Sequence, residues 1–208
     1  MRQGIIIVLF LCWSGLLAGQ AIQRMDKETA EQFAERHKPD SSTLTYKVME
    51  TKWNAIPVLI SFYKQAYKLP IQNDPGQQTY HKIDGAVYIK LDKNNYSKTT
   101  LGTIDTEGSD PVIDTVFFAN ADTDKTKELI VLVTWEQRHY DVNGILYGTF
   151  VFDYELTKAT LTWVLLEEIS NKLDGGCECT WRDGTSRKVT LKSASAVKNE
   201  LTRLGYKQ

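Results

Sequence analysis

From residue 85 onward the chain carries a series of β-branched and aromatic runs: Gly85–Leu91 (GAVYIKL), Val112–Ala119 (VIDTVFFA), Leu129–Tyr140 (LIVLVTWEQRHY), Ile145–Tyr154 (ILYGTFVFDY) and Thr160–Glu167 (TLTWVLLE). Turn-forming residues separate each run from the next. Side chains that alternate with period two suit a pleated, half-buried strand, and strands that follow one another across turns pair antiparallel. The series therefore predicts a meander of about five strands. Asn143-Gly144, between the third and fourth runs, supplies the two positive φ angles of a type I′ hairpin. Lys188–Leu191 reads as a further short strand.

The remaining patterns are helical. Asp26–His37 is rich in helix formers, with Asp26 as its N-cap and Pro39 just past its end, and reads as a short peripheral helix. Ala55–Lys68 repeats apolar residues at three- and four-residue steps (Ile56, Leu59, Ile60, Tyr63, Tyr67), which predicts a helix capped by Asn54 and packed on the sheet. Leu69–Gln78 holds the densest turn chemistry, with Pro70, Pro75 and Gly76, and reads as a loop. Ser193–Leu204 predicts a terminal amphipathic helix on Val197, Leu201 and Leu204, closed by Gly205. The expected fold class is α+β: a mostly antiparallel meander sheet packed by N-terminal and C-terminal helices, in one domain over residues 22–208.

Residues 1–21 have the form of a secretory signal: Arg2, an apolar run from Ile5 to Leu17, then small residues at Gly19 and Ala21. The run is shorter than the roughly 20 residues that span a bilayer. A chain processed after Ala21 is secreted or periplasmic, with no membrane attachment of its own. With 25 Lys and Arg against 26 Asp and Glu the formal charge is -1, which argues against a nucleic-acid partner. Cys177 and Cys179 are the cysteines that processing would leave, and in an oxidising compartment they are candidates for a local disulfide. A zinc site needs four ligands, and no second Cys or His pair is spaced to complete one.

One loop carries residue-level chemistry. Asn120-Ala-Asp122-Thr-Asp124-Lys-Thr126-Lys-Glu128 places oxygen-bearing residues at every second position, immediately before an apolar strand. A loop curling round a hard cation turns alternate residues inward. Asn120, Asp122 and Asp124 would then offer side-chain oxygens, Thr126 its carbonyl and Glu128 a carboxylate. An oxygen-only donor set without His or Cys suits Ca²⁺ in a structural role. The segment Phe118–Val133 resembles the calcium loop of FG-GAP and VCBS-type repeats, in which alternating acids and a glycine lead to a further acid and a hydrophobic strand. Lys125 stands where that pattern has its glycine, and Val131 stands where an EF-hand has its final Glu, which excludes an EF-hand. Without a cation, the same side chains cap backbone N–H groups as Asx-turns do.

No motif assigns catalytic or cofactor-binding residues: there is no nucleophile elbow, phosphate-binding glycine loop or zinc-protease signature. Glu136 and His139 lie three apart, which on a strand sends them to opposite faces. Of Trp53, Trp135, Trp163 and Trp181, with Tyr140, Tyr147 and Tyr154, most are assigned to the core, with Tyr140 and Tyr147 near the hairpin exposed. The expected function is a non-catalytic binding or interaction module for a protein or glycan ligand, with a Ca²⁺-supported fold and no other cofactor. The alternative is a small secreted hydrolase drawing carboxylates from Asp105–Asp114 and Asp122–Glu128. A pocket joining those two loops would favour the hydrolase.

Overall fold

The computed structural model describes residues 21–70, 77–156 and 161–208. The signal segment, up to residue 20, and most of the expected turn-rich loop lie outside the described residues.

Two antiparallel sheets face each other. The first contains β1 (Ile22–Gln23), β2 (Ser42–Leu44), β3 (Met49–Trp53), β4 (Ile56–Pro70), β5 (Gln77–Lys90) and β6 (Asn95–Ile104). They run in the order β1-β6-β5-β4-β2, with β3 also on β4. The second contains β7 (Val112–Ala119), β8 (Glu128–Arg138), β9 (Val142–Leu156), β10 (Leu161–Leu165) and β11 (Gly176–Trp181), in the order β10-β9-β8-β7 with β11 also on β9. The helices are short: α1 (Ala30–Arg36), α2 (Glu167–Lys172) and α3 (Ala194–Arg203). No helix among the described residues is long and apolar enough to cross a membrane.

The fold is thus a mostly β, sandwich-like arrangement, and the α+β expectation of a single meander sheet with packing helices is corrected. The correction turns on Ala55–Lys68, which is not a helix but the long strand β4. Val58, Ile60 and Phe62 point into the space between the sheets, while Leu59 and Tyr63 point to the opposite face beneath α1. A strand buried on both faces loses its alternation, and its apolar positions then match helical spacing by coincidence. β6 completes the first sheet, burying Tyr96, Leu101 and Ile104.

The main core lies between the sheets. Val58, Ile60, Phe62, Val87 and Leu101 of the first meet Val131, Val133, Trp135 and Phe152 of the second. Trp53 stacks on Trp163 at 4.2 Å between ring centroids. Each such side chain contributes about 1.5–3 kcal/mol by leaving water, so this layer is the main source of stability.

Each outer face has a smaller core under a helix. The first helix begins at Ala30, later than expected, because Thr29 and not Asp26 is its cap. Gln32 N–H donates to Thr29 Oγ1 at 3.1 Å and Thr29 N–H to Gln32 Oε1 at 2.9 Å, a capping box. It buries Phe33 against Tyr88 and Tyr96 at centroid distances of 5.1 and 5.0 Å. On the second sheet, Ile169 and Leu173 at α2 and Val197 and Leu201 of α3 cover Ile130, Leu132 and Val151. α3 is closed by Gly205, at φ +100°, as its sequence predicts, and Ser193 is its N-cap. Lys188–Leu191 forms no strand.

Candidate metal centre

The loop Asn120–Lys127 joins β7 to β8 and is held by a run of short-range bonds. Asp122 N–H donates to Asn120 Oδ1 at 3.2 Å, Asp124 N–H to Asp122 Oδ1 at 2.8 Å, and Thr126 N–H to Asp124 Oδ1 at 2.6 Å. These are successive Asx-turns, and they explain why Asn and Asp recur at alternate positions. One oxygen of each Asp is fixed to the backbone, leaving the other to project. Asn120 Nδ2 also donates to Asp124 O at 3.0 Å, and Thr126 Oγ1 to Asp124 Oδ1 at 2.7 Å. Asn120 and Thr126 therefore shape the turn.

Asp122, Asp124 and Glu128 converge: one carboxylate oxygen from each lies within 4.8 Å of the others. Oxygens that share one Ca²⁺ at 2.3–2.6 Å stand at most about 5 Å apart, so the spacing fits. Glu128 is the first residue of β8 and is fully buried. Its Oε2 accepts the Ala121 N–H, whereas its Oε1 is buried without a partner among the described residues. A desolvated carboxylate beside Asp122, Asp153 and Asp124 resists ionisation, and burial foremost, then those charges, push the Glu128 carboxyl up to about 8.

Asp153 was not singled out by the sequence. The β8–β9 ladder ends at Leu129 opposite Phe152, which sets Glu128 beside Asp153 on the face covered by α2 and α3. Asp153 Oδ1 is also buried without a hydrogen-bond partner among the described residues, and burial, then Asp122 and Asp124, raise its pKa. The signal that could have found it is a carboxylate two residues after Val151, in the middle of an apolar and aromatic strand run, but its partner follows only from the register.

The first sheet braces the loop. Lys127 N–H donates to Asn54 Oδ1 at 2.8 Å, Asn54 Nδ2 to Lys127 O at 3.0 Å, and Trp53 Nε1 to the same carbonyl at 2.6 Å. Asn54 is therefore not a helix cap. It sits at φ +45° in the β3–β4 turn, a conformation Asn tolerates, and ties the two sheets together.

The other sequence candidates fall elsewhere. Asp110, before β7, pairs with Lys64 at 2.9 Å and His81 at 2.8 Å. Burial opposes its charge, but these bonds hold its carboxyl below the ordinary value. Asp114, with its hydrogen bond to Thr134, is raised by burial. Glu136 pairs with Arg138 and not with His139. Trp53, Trp135 and Trp163 are core residues and Tyr140 is 83% exposed. Cys177 and Cys179 are bonded to each other on β11, with their Cα atoms 5.2 Å apart, well inside the usual range.

Family models, curated proteins and solved structures were compared with this chain, and none matches.

Proposed function

We propose that this chain is a secreted, non-catalytic binding module whose sandwich is clamped at one end by a structural Ca²⁺. Asp122, Asp124 and Glu128 are its carboxylate ligands, with Asp153 alongside and Asn120 and Thr126 shaping the loop. The observation that carries the reading is Glu128, a fully buried carboxylate beside two other acids, with one oxygen unpartnered among the described residues. Leaving such a group unmatched costs on the order of 1–3 kcal/mol or more, a penalty that a hard cation removes. The clamp would join the β7–β8 loop to β9, the central strand of the second sheet. Secretion rests on residues 1–21, and the Cys177–Cys179 bridge is consistent with an oxidising compartment.

A hydrolase built from both acidic loops is disfavoured. Asp110 precedes β7 and Asn120 follows it, so the loops stand at opposite ends of that strand, roughly 25 Å apart at about 3.3 Å per residue. Asp110 is moreover committed to Lys64 and His81.

The test is a thermal melt in excess EDTA and then in millimolar Ca²⁺, with Mg²⁺ as control. At about 100 times Kd the cation adds about 2.7 kcal/mol, a rise of roughly 5–10 °C for a chain of this size. The rise should be selective for Ca²⁺ and lost in Asp122→Ala. An unchanged melting temperature would overturn the metal assignment.

A further inference from the structure

β9 has one edge shared by two strands that do not meet. β10 covers it from Phe152 onward and β11 covers it up to Tyr147, so on that edge, opposite β8, Gly148–Val151 has no strand beside it among the described residues. α2 spans the gap: Leu166 N–H donates to Val151 O at 2.8 Å, and Val151 N–H to Ser170 Oγ at 3.0 Å. Along this edge a cavity of about 520 Å³ opens between β9, the end of β10 and α2.

Trp135, Leu146, Phe150 and Leu165 line this crevice. Trp135 packs over Gly148, where a Cβ would stand 2.7 Å from the indole, so the glycine is what admits the ring. The mouth is acidic. Glu107 from the β6–β7 loop, Glu167 at the start of α2 and Asp174 after it are all exposed. None of the three takes part in an ion pair among the described residues, although Glu168 next door is bound to Lys172 at 2.6 Å. No Lys, Arg or His lines the cavity.

We propose that this crevice is a ligand site for a small organic cation, a protonated amine carried on an aromatic or branched aliphatic body. The apolar body displaces water from the aromatic wall, and the ammonium stays at the mouth beside Glu107 of the β6–β7 loop and the acids at either end of α2, Glu167 and Asp174. The volume suits a ligand of that size. An anion would meet only repulsion there, and a neutral analogue would gain the wall but not the mouth. The inference supplies a ligand class for the binding-module reading, on which it rests, and does not depend on the calcium site.

The experiment is calorimetric titration of the processed chain, in Ca²⁺, with phenethylammonium, neutral 2-phenylethanol and anionic phenylacetate, which share one aromatic body. The ammonium should bind at least about tenfold more tightly than the alcohol, and phenylacetate should give no signal. Combining Glu107→Gln, Glu167→Gln and Asp174→Asn should reduce the ammonium to the level of the alcohol without moving the melting temperature. Leu165→Arg, which places a guanidinium in the mouth, should abolish binding. Equal binding of amine and alcohol, a triple variant that keeps the preference, or no binding of the amine would each overturn the proposal. The calcium-dependent melt is read separately, so failure here is distinguishable from failure of the metal clamp.

Discussion

Gly144 of β9 lies opposite Cys179 of β11, so close that a Cβ at residue 144 would stand 2.7 Å from the Cα and 2.8 Å from the Sγ of Cys179. Real Cβ atoms do not approach that near, so the bridged strand fits only over a glycine. Gly144→Ala should therefore destabilise the protein by about 1–3 kcal/mol, as overpacking does. A thermal melt would show a fall of very roughly 2–12 °C, and an unchanged value would mean that β11 can move aside.

The same residue shows how a good local signal can mislead. Asn143-Gly144 has the sequence of a tight turn, yet both residues lie inside β9, paired with Arg138 and Gln137. The hairpin turns instead at Tyr140-Asp141, where His139 N–H donates to Val142 O at 2.9 Å. Propensity placed a glycine correctly and gave it the wrong reason, because the need for it arises from a strand that joins β9 much later in the chain. Val112–Ala119, a β-branched and aromatic run bounded by turn residues, was legible to the residue, whereas β4, whose apolar positions match helical spacing, and the Thr-rich β6 were not.

Asn54 should matter to the metal loop although it lies on the other sheet. Asn54→Ala removes two hydrogen bonds to Lys127, each worth about 0.5–1.5 kcal/mol, and replaces a residue suited to positive φ. We expect a loss of about 1–3 kcal/mol together with weaker Ca²⁺ binding by calorimetry. A variant that loses stability but keeps wild-type affinity would show that the brace does not position the ligands.

Acidity provides a third test. The Glu128 carboxyl is raised from 4.5 to about 8, so in the folded, metal-free state it keeps a proton that the unfolded chain has released. Stability from this source is complete below pH 4.5 and is lost as pH rises through 8, by at most about 1.4 kcal/mol per pH unit. In EDTA the melting temperature should fall between pH 6.5 and 8, and Glu128→Gln should flatten that slope. In saturating Ca²⁺ the fall should shrink, since the cation stabilises the anion. A melting temperature in EDTA that is level over this range would mean that Glu128 is ionised in the fold.

Phe33 anchors the short helix α1 on the first sheet, fully buried between Tyr88 and Tyr96. Phe33→Ala should cost about 3–5 kcal/mol, measured by urea unfolding, with the calcium response of the far loop preserved. A loss below about 1 kcal/mol would mean that α1 is dispensable, as an exposed substitution would be.

The two sheets are built from consecutive halves of the chain, the first complete by Ile104 and the second beginning at Val112. In a chain that emerges N-terminus first, from a ribosome or from an export channel, the first sheet can therefore close its hydrogen-bond ladders before the second has emerged. Its inner surface, with Val58, Ile60, Phe62 and Leu101, would then face solvent until the partner sheet arrives. The helix α1, made first of the three, covers only the opposite side. The nascent protein thus passes through a stage with one dry face and one sticky face, at which a chaperone has something to hold.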